Sequence, residues 1–249
     1  MKKLSECRVV VTGAGGGIGS AIALEFAKQG TKLVLSDMNE QRVAKTVALC
    51  QAHSKDVKSV IADISTVEGC HQSVDQCIDA YGGIDVLVNN AGMLTQAPVT
   101  DLTKEMWDQM LQVDLTSVFL TSQRALPFML KQKWGRIINI ASQLGIKGGA
   151  ELAHYSAAKA GVIGFTKSLA LEVSKDNVLV NAIAPGPIST ALVDGISEKW
   201  KIEKAKELPL GRFGKPEEIA PTALLLASDP GGNLFVGQTL GPNSGDVMP

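Results

Sequence analysis

The chain has 249 residues, 45% of them hydrophobic and 20% charged, a balance that excludes a disordered chain or a coiled coil. At this length a folded chain buries about 70 to 75% of its unfolded surface, so its core needs neither metal nor disulfides, and one large domain is expected. Twenty-four basic against 25 acidic side chains leave a formal charge of -1, and no block of one sign draws the chain to nucleic acid or an anionic membrane.

Near the N-terminus the apolar run Val9-Val10-Val11 stops at a glycine-rich turn, too short for a signal peptide. No stretch of about 18 uninterrupted apolar residues follows, so a cytoplasmic protein is expected. From there, short β-branched runs alternate with longer helical patterns: Arg8 to Thr12, Lys32 to Ser36, Val57 to Ala62, Ile84 to Asn89, Arg136 to Ala141, Val178 to Ala184 and Leu234 to Leu240. Their near-continuous Val, Ile and Leu content suits strands buried on both faces, and the alternation predicts parallel strands joined by crossover helices. Helical spacing is plainest over Ile18 to Gln29 and over Lys104 to Lys131, with Gly30 and Gly135 as stops and Pro127 expected to kink or end the second. The four cysteines form no C-x-x-C pair and are expected as reduced thiols. Cys70, His71 and Asp75 share a helix face but read as a half-buried helix, and no metal is expected.

Thr12 to Gly19 (TGAGGGIG) follows the first strand and opens the first helix, where a dinucleotide pyrophosphate would rest on free backbone N–H groups. Such a turn is shared by flavin, nicotinamide and methyl-donor proteins. Asp37, eighteen positions beyond Gly19 at the end of the second strand, suits the adenosine ribose hydroxyls and repels a 2′-phosphate. No Arg or Lys stands at Gly15, Gly16 or Met38, and Arg42 lies a helical turn away, so NAD(H) is expected over NADP(H). Asp63-Ile64 closes the third strand at the same edge, suited to adenine contacts or simply to a turn. Asn89-Asn90-Ala91-Gly92 ends the fourth, where asparagine side chains can tie strand ends together. Tyr155 and Lys159, four apart in a helical pattern, project from one face. An ammonium within about 4 to 6 Å stabilises a phenolate and lowers a tyrosine pKa. Ser142, ending the fifth strand, offers a hydroxyl to a substrate oxygen.

Taken together, T-G-x-x-x-G-x-G at Thr12 to Gly19, N-N-A-G at Asn89 to Gly92, Ser142, and Y-x-x-x-K at Tyr155 to Lys159 resemble the short-chain dehydrogenase/reductase family along nearly the whole chain. The resemblance implies a three-layer Rossmann fold with a doubly wound, seven-stranded parallel sheet, in a homotetramer. It implies Tyr155 as general acid/base, Lys159 lowering its pKa and binding the nicotinamide ribose, and Ser142 orienting an alcohol or ketone substrate. Gly13, Gly17, Ile18, Gly19, Asp37, Asp63, Ile64, Asn90 and Gly92 would line the cofactor, together with Tyr155 and Lys159. In Pro185 to Thr190, which resembles the family's P-G-x-I-x-T stretch, Ile188 and Thr190 would hold the carboxamide. The segment 187–213 resembles a substrate lid, with Leu192, Val193, Ile196 and Trp200 as an apolar face and Lys199, Lys201, Lys204 and Lys206 interleaved with Glu198, Glu203 and Glu207 as a solvated one. One position departs from the family: Asp114 stands where a relay asparagine is usual. Much of that asparagine's role in the family is credited to its main-chain carbonyl, which any residue can supply, whereas a carboxylate there can also pair with Lys159, raise the lysine's pKa and weaken its pull on Tyr155. The favoured reading is an NAD-dependent dehydrogenase or ketoreductase of a small secondary alcohol or ketone. Alternatives are a 3-oxoacyl-[acyl-carrier-protein] reductase and, in a different class, a non-catalytic NAD-binding sensor or scaffold.

Overall fold

A computed structural model describes residues 1–190 and 197–248. Seven strands, β1 (Arg8–Thr12), β2 (Lys32–Asp37), β3 (Val57–Ile61), β4 (Val86–Asn89), β5 (Gly135–Ile140), β6 (Val178–Ile183) and β7 (Thr239–Leu240), form one sheet in the order β3-β2-β1-β4-β5-β6-β7. Every pairing is parallel. Side chains alternate across a strand, so β1 supplies both cores. Val9 and Val11 pack with Ile22 and Phe26 of α1 (Gly17–Lys28), Val43 of α2 (Glu40–Gln51) and Ile219 of α9 (Pro216–Ala227). Val10 faces the opposite way, toward Val74 of α3 (Val67–Tyr81), Met129 of α5 (Ser117–Gln132) and Leu169 of α7 (Ala153–Val173). The result is the expected three-layer, doubly wound Rossmann fold. Sequence order reverses between β1 and β4, and the carboxyl ends flanking that switch point form the crevice in which open α/β sheets bind ligands. At the other edge of the sheet, fully buried Asp85 accepts from Arg8 and Lys2 and anchors the start of β1.

Three expectations need correction. β7 is two residues long, not Leu234 to Leu240. Leu234 lies on the surface in a turn, and Gly237 takes a left-handed conformation (φ 66°) to bring its N–H to the Val180 carbonyl. The chain thus reaches β6 too late to pair except at Thr239 and Leu240. The helical stretch predicted as one piece over Lys104 to Lys131 is α4 (Lys104–Leu111), then a π turn over Gln112–Thr116, then α5. Its closing bond runs from the Ser117 N–H to the Gln112 carbonyl, the wider spacing that marks a π turn. Pro127 does not end α5, because buried Ala125 and Met129 pin the turns on either side of it. The stop is Lys133, in a left-handed conformation (φ 54°), and not Gly135, which already belongs to β5.

The four cysteines are buried, unpaired thiols. Burial pushes the Cys7 and Cys77 thiols up to about 12, and those of Cys50 and Cys70 up to about 11, which suits apolar filling and not nucleophilic chemistry. Among the described residues no helix is long and apolar enough to cross a membrane. None of them form a group of three or more metal-ligating side chains.

Candidate active site

The crevice begins where β1 runs out. Thr12 Oγ1 accepts from the backbone N–H groups of Asn90 (3.0 Å) and Ala91 (3.1 Å), and the Asn90 amide donates to the Thr12 and Gly13 carbonyls, both at 3.0 Å. Asn90 thus stitches the glycine turn to the end of β4. Asn89 points inward, donating to Asn139 on β5 at 2.9 Å, and Asn139 donates in turn to Thr166 on α7 at 2.9 Å. These buried amides fix the ends of β4 and β5 relative to the catalytic helix candidate, α7.

Gly19 lies under the turn. A Cβ on it would sit 2.3 Å from the Gly13 carbonyl oxygen and 2.4 Å from the Asn90 amide nitrogen, so only glycine lets α1 come this close. The N-terminus of α1, at Gly16 and Gly17, has no side-chain cap, whereas α2 and α3 are capped by Asn39 and Thr66. Uncapped N–H groups in a glycine cradle are a ready anion site, and the turn therefore fits a dinucleotide's pyrophosphate.

Asp37 ends β2 beside this cradle. Its carboxylate accepts from the Gly15 N–H (2.8 Å) and the Asn39 N–H (2.9 Å), which fixes its orientation at the rim. Arg42 and Lys45 of α2 line the same end of the cleft. Asp63 spends one carboxylate oxygen on the Ser65 N–H at 2.9 Å, a turn-forming role, and with Ile64 still lines the cleft. Ile188 is buried and bridges to Gly214; Thr190 puts its methyl 3.2 Å from where a Cβ on Gly17 would be.

At the other end, Ser142 follows β5 and accepts from the Leu144 N–H at 3.1 Å. Tyr155 and Lys159 stand one turn apart near the start of α7, both buried, with the Lys159 ammonium 5.6 Å from the tyrosine ring centroid. That ammonium donates to the Ile140 carbonyl at 3.0 Å and faces Asp114 Oδ2 at 3.1 Å. Asp114 belongs to the π turn and is fully buried; its other oxygen accepts from the Met93 N–H at 2.8 Å. Gly92 covers the pair, since a Cβ there would come within 3.0 Å of Asp114 Oδ2 and 3.4 Å of the Lys159 nitrogen.

The electrostatics differ from the simple picture of a lysine acidifying a tyrosine. Burial pushes the Tyr155 phenol above its ordinary pKa. Lys159 pulls it down, Asp114 pushes it up again, the Ser142 hydroxyl pulls it down, and the sum remains raised. Burial works against the Lys159 ammonium, but Asp114 and then Tyr155 more than offset it and hold its pKa above the ordinary lysine value.

One cleft of about 1720 Å³ is lined by Gly13, Gly17, Ile18, Asp37, Asp63, Ile64, Asn90, Gly92, Asp114, Ser142, Tyr155, Lys159, Ile188 and Thr190. Gly19 is the single expected site residue that does not line it. The lid residues Trp200 and Phe213 line it too and pack edge to face at 6.3 Å. Leu192, Val193 and Ile196 lie outside the described residues. The α8 helix (Glu198–Glu207) carries the i,i+3 pairs Lys201–Glu198, Lys204–Glu207 and Lys206–Glu203; the expected solvated face holds for the glutamates, whereas Lys204 turns toward Asp246. Sequence reasoning missed Gln143, Lys147 and Asp246, which meet in the cleft. It also missed buried His154, whose Nε2 lies 2.8 Å from the Thr95 hydroxyl and ties the loop after β4 to α7. Adjacency to Ser142 and Tyr155 was the only available signal for Gln143 and His154.

Comparison with known proteins yields consistent relatives. The family model for short chain dehydrogenases matches residues 8–201. The chain is 38% identical over 239 residues to 3-oxoacyl-[acyl-carrier-protein] reductase FabG of Thermotoga maritima, covering 96% of this chain and 97% of that one. It is 38% identical over 248 residues to acetoacetyl-CoA reductase of an Acinetobacter species, covering 98% and 100%. Among solved structures it superposes on levodione reductase with a TM-score of 0.91 at 31% identity, covering 95% and 96%.

Proposed function

The chain belongs to the short-chain dehydrogenase family and is an oxidoreductase of CH–OH and ketone groups; we propose that it interconverts a secondary alcohol and a ketone with NAD(H), Tyr155 serving as general acid/base. The observation that carries this reading is a buried tyrosine paired with a buried lysine in the same cleft as an uncapped, glycine-lined helix N-terminus. When bound, the nicotinamide supplies the hydride chemistry. Gly13, Gly17 and Ile18 would receive its pyrophosphate, Asp37 the adenosine ribose, Asp63 and Ile64 the adenine, Asn90, Gly92 and Lys159 the nicotinamide ribose, and Ile188 and Thr190 the carboxamide. The Ser142 hydroxyl orients the substrate oxygen. The Tyr155 phenol gives that oxygen a proton in reduction and takes it back in oxidation. Lys159 stabilises the phenolate form.

Asp114 works against Lys159 in this scheme, since it raises the pKa of both Tyr155 and Lys159. In the oxidation direction the active form is the phenolate, present above the tyrosine's pKa. Asp114→Asn removes a negative charge that disfavours that form. The acid limb of the pH–rate profile for alcohol oxidation is therefore expected to move to lower pH, and coincident profiles for wild type and variant would remove Asp114 from the mechanism.

Asp37 supports NAD(H), because a carboxylate fixed by two backbone N–H groups at the rim would repel a 2′-phosphate. Arg42 and Lys45 beside it support the NADP(H) reading instead. Asp37→Ala combined with Met38→Arg is expected to shift the ratio of kcat/KM values toward NADP(H) by about tenfold or more, the factor that removing roughly 1.4 kcal/mol of like-charge repulsion gives. An unchanged ratio would refute this role for Asp37.

The names of the relatives favour a second reading of the substrate, a 3-oxoacyl group on a carrier protein or coenzyme A. Comparing kcat/KM for free small ketones and for 3-oxoacyl thioesters decides between the two. Tight NAD binding without turnover of either would favour the sensor or scaffold. The family resemblance supports a homotetramer, which sedimentation would test.

A further inference from the structure

Buried charge gathers in one more place. Asp246, in the segment after β7, accepts from the Lys147 ammonium at 2.6 Å, from the Lys204 ammonium at 3.0 Å and from the Gln143 side-chain amide. Gln143 follows Ser142 directly, Lys147 ends α6 (Leu144–Lys147), and Lys204 lies on α8. The Asp246 side chain is 8% exposed and that of Lys204 16%, unlike the i,i+3 pairs Lys206–Glu203 and Lys201–Glu198, whose glutamates stand in solvent and which contribute little. The segment around it is tied to both sides of the cleft: the Gly186 N–H donates to the Pro242 carbonyl and the Leu210 N–H to the Ser244 carbonyl, each at 3.2 Å.

None of the residues of α8 is buried. Among the described residues its apolar anchoring is confined to buried Leu208 at its C-cap and the edge-to-face contact of Trp200 with Phe213, while Trp200, Glu203, Lys204 and Glu207 line the cleft from it. A carboxylate sheltered from solvent and shared by two ammonium groups and an amide can set the position of this helix, because such charge-assisted bonds are shorter and stronger than neutral ones.

We propose that Asp246 is a positioning residue that fastens α8 to the loop after Ser142 and so fixes the far wall of the substrate chamber. The proposal rests on the oxidoreductase reading above. Asp246→Asn retains the shape, but an amide accepts from only one of the two ammonium groups and turns an N–H toward the other. With cofactor bound, Asp246→Asn is expected to raise KM for the ketone by about tenfold, with kcat changed less than about threefold and cofactor affinity unchanged. Asp246→Glu is expected to recover part of the loss, and adding Lys204→Met to Asp246→Asn to cost little more, since contacting groups do not act additively. An unchanged KM, a joint fall in kcat and cofactor affinity, or additive effects of the two substitutions would overturn the proposal.

Limited proteolysis gives a readout free of turnover. Cleavage within 197–213 is expected to be about tenfold faster in Asp246→Asn than in wild type, while equal rates would overturn the latch. If wild type turns over no ketone or alcohol, the functional reading fails, and the proteolysis comparison still decides the latch.

Discussion

Tyr155→Phe is expected to lower kcat by about 10²- to 10⁴-fold, the range that a positioned general acid or base supplies, and to leave cofactor binding intact. The substitution removes one oxygen from a ring that is 9% exposed and packed with Met110 and Leu152, so the fold has little reason to change. The phenol combines an exchangeable proton with a cation and a hydroxyl, those of Lys159 and Ser142, that pull its pKa down against burial and Asp114. Without it the substrate oxygen must exchange its proton with water. The measurement is single-turnover kinetics at saturating cofactor, with cofactor affinity determined separately by fluorescence titration. Activity within a few fold of wild type would eliminate Tyr155 as the acid/base.

Lys159→Met is expected to cost about 3–5 kcal/mol of stability, because breaking a buried ion pair by removing one partner strands the other charge without compensation. The Asp114 carboxylate, fully buried at 3.1 Å from the ammonium, would keep only the Met93 N–H. Removing both charges, as Lys159→Met with Asp114→Leu, should restore most of that loss. Urea unfolding of the two single variants and the double variant measures the coupling; a double variant no more stable than Lys159→Met would mean that the pair does not act as a unit. The pH dependence has a definite sign. Lys159 is held above its ordinary pKa in the folded chain, so its contribution is whole at neutral pH and is lost as pH rises past the ordinary lysine value through the raised one. On the proposed mechanism Lys159→Met is expected to lower activity too, since the phenolate loses its counter-charge.

Much of this was legible from residue order because the parallel sheet is buried on both faces and its strands are written as apolar runs. The same rule misled at Leu234 to Val236, apolar residues that serve a turn and a rim instead of a strand. The π turn was invisible for a different reason: Met110, Leu111, Val113, Leu115 and Val118 supply apolar side chains at short intervals right through it, which hides the shift in phase that one surplus residue makes. The placing of the glycine turn, Asp37 and Asn90 around one cleft was readable because a glycine cradle, a strand-end aspartate and the Asn89–Gly92 corner are each local. A pairing of Asp114 with Lys159 was one of two readings the position left open, and the two side chains do meet. The net direction at Tyr155 was not readable, since burial depends on what α7 packs against. Asp246 was out of reach altogether: it lies 103 positions from Gln143 and 42 from Lys204, and only the return of the chain past β7 brings them together.

The widened loop of backbone at Gln112–Thr116 gives the protein a phase adjuster. Each residue turns an α-helix by about 100°, so one surplus residue lets α4 and α5 each present its own proper side to the body while a carboxylate is swung to a bearing that neither regular helix would give it. The negative charge beside the lysine is thus set by a winding defect as much as by the choice of aspartate. Relatives lacking that surplus would carry any acid at this position on a different heading.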